Sequence, residues 1–285
     1  MPGAGHRGAV RPVADHLVCL TFDFDAVSPW INRGEATPTP LSRGEFGVVG
    51  AGRLLELLQS RDIRSTWFIP GHTIDTYPEA CERVHRLGHE VGHHGYLHEP
   101  PATLTRADEA SILDHGLDCI RRLTGAAPAG YRSPSWDLSP DTVGLLLERG
   151  FRYDSSLMGH DHRPYRCRTG DVVTTDGPMR FGPETDLWEM PISWSTDDHP
   201  HFEFVRRSGT LLQGLRRAED VLENWLDDFR YMAREEERGV LTYTMHPQVV
   251  GRGHRMLMLE RLIDGLTEMG ARFARMDEAL EVMIG

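Results

Sequence analysis

LVCLTFDFD, residues Leu17–Asp25, is the stretch from which the fold is read. A short apolar run from Leu17 to Phe22 ends abruptly in Asp23 and Asp25. An apolar run without alternation reads as a strand covered on both faces, the kind found in parallel sheets. Parallel barrels carry their chemistry at the C-terminal ends of strands. Two aspartates directly after such a run therefore stand where a reaction would be run.

Working outward, four more segments share this form: STWFI (Ser65–Ile69), HEVGHH (His89–His94), LWEMPIS (Leu187–Ser193) and VLTYTMH (Val240–His246), with GYRSPSW (Gly130–Trp136) as strand and loop. Helical spacing separates them over Val48–Leu58, Pro78–Leu87, Thr105–Leu123, Ser139–Gly150, Leu211–Arg238, Arg255–Met269 and Met276–Met283. Thr105 is the expected N-cap of its helix, with Asp108 in the first turn. Alternating strands and helices imply a parallel sheet. Ser28–Gly47 is rich in Pro, Gly and Thr and has no period, so a functional loop or lid is expected there. Residues 1–16 read as a Gly/Pro-rich tail and 17–285 as one catalytic domain, with no repeat or composition break to divide it.

The chain has 285 residues, with 31 Lys and Arg against 43 Asp and Glu, for a formal net charge of −12. No basic run or basic-aromatic stripe is present, which argues against nucleic acid or an anionic membrane as partner. No apolar run approaches the ~18 residues of a spanning helix, and MPGAGHRGAVRPVADH carries no apolar signal core, so a cytoplasmic protein is expected. Cys19, Cys81, Cys119 and Cys167 form no Cys-x-x-Cys pair and are expected to be reduced thiols.

Four constellations carry chemistry. GHEVGHHGYLHEPP (88–101) holds His94 and His98 four residues apart, where one turn brings two imidazoles to one ion. His85, His89 and His93 share that spacing, so spacing alone does not choose among them. In TFDFD the two carboxylates point the same way from a strand end; one could bind metal while the other stays free as a base. In GYRSPSW, Arg132 could pair with a catalytic carboxylate and keep it ionised, and Trp136 could wall a pocket. In TMHPQVVGR, His246 ends a strand and could serve as a general acid.

In this order, TFDFD, HHGYLHE, RSPSW and MHP resemble the polysaccharide deacetylase superfamily, over roughly residues 17 to 275. The likeness is strongest to its intracellular branch of peptidoglycan-deacetylase-like proteins, cyclic imide hydrolases and allantoinase-like enzymes. The resemblance implies an α/β fold, a distorted (β/α) barrel of about seven parallel strands. It implies one divalent metal ion, expected to be Zn2+, held by Asp25, His94 and His98. It implies Asp23 as base, Arg132 as its buttress and His246 as the late catalytic histidine, while His93 is not a ligand. The family commonly has two adjacent aspartates; here Phe24 separates them. The segments Tyr153–Arg166 and Ile192–Glu203 also resemble this branch and are expected at the pocket or at subunit contacts.

The expected reaction is hydrolysis of a non-peptide C–N bond by metal-activated water. With no export signal seen, a small cyclic imide or ureide is the expected substrate, packed on Trp136 and Trp194 in a closed pocket. N-deacetylation of an amino sugar or a peptidoglycan-type glycan is the alternative. A homo-oligomer is also contemplated. Two other classes remain: a non-haem iron oxygenase, which uses two histidines and a carboxylate, and a non-catalytic binding protein, which would have no use for Asp23 and His246.

Overall fold

The computed structural model describes residues 15–207 and 210–285. Its strands, in chain order, are β1 (Asp15–Asp23), β2 (Thr66–Ile69), β3 (Glu90–His93), β4 (Gly130–Tyr131), β5 (Tyr153–Asp154), β6 (Tyr165–Arg168), β7 (Glu184–Glu189), β8 (Phe204–Arg207), β9 (Thr210–Gln213), β10 (Arg238–Met245) and β11 (Arg272–Phe273). The main sheet runs β10-β1-β2-β3-β4-β5-β7-β6. The seven strands from β10 to β7 are parallel, and β6 is added antiparallel at one edge. β10 and β6 do not pair, so the sheet curls into an open half-barrel, the distorted barrel expected from the sequence. β11 pairs with Leu17 and Val18, ahead of the residues that pair with β2, so it lies end to end with β2 along β1.

The period of two along β1 sorts its side chains. Val18, Leu20 and Phe22 join the large core beneath the helices, with Leu54, Leu58, Trp67, Trp225 and Leu262. Leu17 and Cys19 join Phe68, Tyr153 and Val240, from strands apart in the sheet order, and Met276 and Leu280 of the last helix, all on the concave face. Thr21 and Asp23 continue this inward series. The barrel interior is thus plugged below by helix Met276–Ile284 and becomes polar where β1 ends.

Helix Arg106–Thr124 starts as expected: Thr105 Oγ1 accepts from Asp108 N at 3.2 Å, and Gly125 closes it at φ 78°. Two expectations need correction. Ser28–Gly47 is not a loop: it forms helix Ser28–Asn32 and the first half of helix Pro38–Ser60. Its glycines mark close packing. A Cβ on Gly44 would lie 2.5 Å from Ala26 O, and one on Gly50 2.0 Å from Pro247 O. The glycines every third residue hide the apolar period because they let the helix touch backbone directly. The helix expected from Leu211 begins at Ala218; Leu211 lies in β9, hairpin-paired with β8. A short apolar pair fits either period, and local pairing decides.

β5, β6 and β11 are too short or too irregular to show a period. The expected tail of residues 1–16 lies outside the described residues except for Asp15 and His16, which begin β1. The four cysteines are free and buried. Among the described residues no helix is long and apolar enough to cross a membrane.

Candidate active site

Asp23 ends β1, His94 follows β3, Arg132 follows β4 and His246 follows β10. The parallel sheet brings these four strand ends to one rim. Asp25 lies two residues beyond β1, and Ala26 after it takes φ 46°. The chain after β3 turns at Gly95 (φ 70°) and again at His98 (φ 64°). Glu99 Oε2 braces the turn by accepting from Tyr96 N at 3.2 Å and Leu97 N at 2.8 Å. Asn32 Nδ2 donates to His98 O at 3.1 Å, tying it to the first helix. Of six non-glycine residues with positive φ among those described, Ala26, His98, Ser135 and Trp136 border this site, where such strain tends to be kept for function.

His94, His98 and Asp25 converge. Their candidate ligand atoms lie within 4.8 Å of one another. His94 Nδ1–H donates to Arg132 O at 2.7 Å, which leaves Nε2 as a lone pair 3.4 Å from Asp25 Oδ1. His98 Nε2 is 3.8 Å from the same oxygen. Asp25 Oδ1 is buried and has no hydrogen-bond partner, although buried carboxylate oxygens are nearly always satisfied. Burial opposes charge on Asp25, but His98, His94 and His246 outweigh it and hold the carboxyl below its usual range. Burial pushes His98 down to about 4, leaving a neutral imidazole. Burial also works against a proton on His94, yet Asp23 and Asp25 outweigh it and raise its affinity for one. Two imidazole nitrogens and a carboxylate with an orphaned oxygen, around one point, make a donor set that fits a divalent ion of the zinc type.

The other histidines of the cluster are accounted for. His93 is fully buried, with Nε2 bonded to Leu113 O and Nδ1 accepting from Gly95 N, both at 3.1 Å. His89 Nδ1 accepts from Ser65 N at 3.1 Å. Both are held by the core, so tertiary contacts choose where spacing could not.

Asp23 is divided between two tasks. Its Oδ1 accepts from Arg132 Nη1 at 2.8 Å. Its Oδ2 lies 4.0 Å from both His94 Nε2 and His246 Nε2, toward the cavity. Arg132 is fully buried and fully used: it also donates to Thr21 Oγ1, Ser155 O and Ser155 Oγ at 2.8–3.0 Å and stacks 4.2 Å above the Phe68 ring. On the far side, His246 Nδ1 is 2.7 Å from Asp198 Oδ1, and its Nε2 points to Asp23 and Asp25. Burial disfavours its charge, but Asp197, Asp198 and Asp25 outweigh that and lift its pKa well above the ordinary value.

These groups open into a cavity of about 910 Å³. Trp136 and Trp194 stack with ring centroids 4.2 Å apart on one wall, and Trp30, Arg43 and Gln248 line another. Asp197, Asp198 and His199 had no assigned role in the sequence, although they lie in the Ile192–Glu203 segment expected at the pocket. A doublet of acids soon after a strand is the signal that marked TFDFD, and it marks this segment too.

The polysaccharide deacetylase family profile matches residues 11–153. A peptidoglycan deacetylase of Helicobacter pylori is 39% identical over 276 residues, covering 92% of this chain and 94% of its own. This chain belongs to the polysaccharide deacetylase family. A peptidoglycan deacetylase-like protein of Gibberella zeae is 32% identical, over 92% of this family member and 84% of its own length. The crystal structure of a putative polysaccharide deacetylase from Mycobacterium smegmatis superposes with a TM-score of 0.82 at 31% identity, over 96% of this chain and 92% of the other. The crystal structure of Puue allantoinase superposes with a TM-score of 0.74 at 22% identity, over 93% and 88%, a likeness of fold alone. Family membership makes this deacetylase-type chain a hydrolase of non-peptide amide bonds.

Proposed function

We propose that this chain removes acetyl groups from N-acetylated amino sugars of the peptidoglycan type, with one Zn2+ held by Asp25, His94 and His98. The observation that carries this reading is the end-to-end similarity to the Helicobacter pylori peptidoglycan deacetylase. A cavity of about 910 Å³ with a stacked tryptophan wall suits a pyranose ring. The cyclic imide or ureide expected from the sequence has weaker support. That expectation used Ser28–Gly47 as a closing loop, and the segment is helical. The allantoinase likeness lies below the identity at which function carries over.

When bound, the ion supplies Lewis acidity toward the acetyl carbonyl and lowers the pKa of water. Asp23 Oδ2 accepts the proton of the attacking water, while Arg132 keeps the carboxylate ionised and aimed. His246, protonated through Asp197 and Asp198, donates from Nε2 to the departing nitrogen. The base oxygen Asp23 Oδ2 and the acid nitrogen His246 Nε2 lie 4.0 Å apart.

The test compares kcat/KM of one zinc-loaded preparation for acetylated glucosamine oligomers and for a five- or six-membered cyclic imide, following acetate release and ring opening. Preference for the oligomer is expected. Preference for the imide overturns the substrate class and leaves the metal site standing.

A further inference from the structure

Beyond the groups that run the reaction, the cavity wall contains polar atoms that no residue of the fold satisfies. Gln248 follows His246-Pro247 and is 6% exposed; its Oε1 is buried toward helix Pro38–Ser60, and neither Oε1 nor Nε2 has a hydrogen-bond partner among the described residues. It is not there by default. Helix Pro38–Ser60 presses against Pro247 through Gly50, and at Gly47 an added Cβ would sit 3.5 Å from Gln248 Oε1. Burying an unpaired amide oxygen is destabilising, so a leucine there would fold at least as well. His199 lines the same cavity, packed edge-on against His246 with ring centroids 5.4 Å apart. Neither of its ring nitrogens has a hydrogen-bond partner among the described residues. Burial and the neighbouring His246 push its pKa down to about 3, so it is a neutral donor and acceptor.

We infer that Gln248 and His199 form a subsite for neutral hydroxyl or amide substituents of the substrate, in the cavity that Trp136 and Trp194 also line. The chemistry follows from what is and is not free. Gln248 offers an amide N–H, and His199 a neutral imidazole that both donates and accepts. A sugar hydroxyl also does both. The nearby cations are engaged: Arg43 is ion-paired with Glu203, and Arg33 lies 3.7 Å from Glu35. A carboxylate substituent would find no uncommitted arginine among the lining residues. The inference rests on the proposed amino-sugar reading and refines it: neutral, hydroxyl-bearing units are read at this wall.

Gln248→Leu and His199→Leu test it, each against two substrates: an acetylated glucosamine oligomer and a simple N-acetyl amine without hydroxyls. For the oligomer, KM should rise about tenfold per lost hydrogen bond with kcat nearly unchanged. For the hydroxyl-free amide kcat/KM should fall much less than for the oligomer; an equal fall for both substrates overturns the subsite. Metal content should stay at the wild-type value, and Tm of Gln248→Leu should stay equal or rise, which a structural role for the amide would not allow. Calorimetric binding of the oligomer to Asp23→Asn protein, with and without Gln248→Leu, separates this idea from the reaction. Weaker binding in the double variant supports the subsite even if wild-type protein shows no turnover, an outcome that would overturn only the proposed reaction. Equal Kd values, or no binding by either protein, overturn the subsite.

Discussion

Arg132 Nη1 donates to Asp23 Oδ1 at 2.8 Å, and neither side chain has more than 1% of its surface exposed. The pair comes from β1 and the loop after β4, 109 residues apart. Removing one partner leaves the other charge uncompensated and buried, a loss of about 3–5 kcal/mol. Arg132→Met should therefore lower stability by that order and abolish turnover, measured by urea denaturation and acetate release. A fully stable, active variant would show that the pair does not hold the base.

Asp23 and Asp25 should separate cleanly. Asp23→Asn keeps the ligand triad and should bind metal while losing turnover by about 10²–10⁴. Asp25→Asn removes the negative charge that faces both His94 and His98, and metal should be lost with activity. Elemental analysis of the purified variants checks this; the reverse pattern exchanges the two roles.

His94→Ala and His98→Ala should lose metal and leave the fold intact. His93→Ala should keep the metal but cost about 2–3 kcal/mol, because it empties a buried site and orphans Leu113 O and Gly95 N. Metal retained by His98→Ala, or lost by His93→Ala, would contradict the assignment.

Asp198→Asn removes the charge that faces His246 Nδ1 at 2.7 Å. It should reduce kcat about tenfold or more with metal content unchanged, since the donor histidine is then less readily protonated. His246→Ala should match it in direction and exceed it. Steady-state kinetics at saturating substrate decides; an unchanged kcat in both variants would remove His246 from the reaction.

Asp154 and Glu189, at the ends of β5 and β7, are both fully buried, and burial raises both carboxyls. A folded pKa above the unfolded one gives stability that is complete below the unfolded value, near ~4, and is lost as pH rises through the folded value. The urea midpoint of the wild type should therefore fall as pH rises from that range. Glu189→Gln keeps an acceptor for Ser156 N and Leu157 N and should show a flatter profile. Parallel profiles for the two proteins would place the dependence elsewhere.

Much of this protein is legible in its sequence because short-range rules govern it. The apolar run ending in Asp23 gives a buried strand, Thr105 caps its helix, and alternating elements give a parallel sheet whose strand ends gather Asp23, Arg132, His94 and His246. The first half of helix Pro38–Ser60 was not legible, because Gly44 and Gly47 answer to contacts with Ala26, outside the helix. Nor could spacing separate His94 and His98 from His89 and His93; the partners Leu113, Gly95 and Ser65 did so. Asp198 behind His246, and the unsatisfied amide of Gln248, exist only where β7, β10 and a helix packed through its glycines converge. Sequence periodicity records which face of an element is apolar; which polar atoms are left without a partner depends on contacts between elements far apart in the chain.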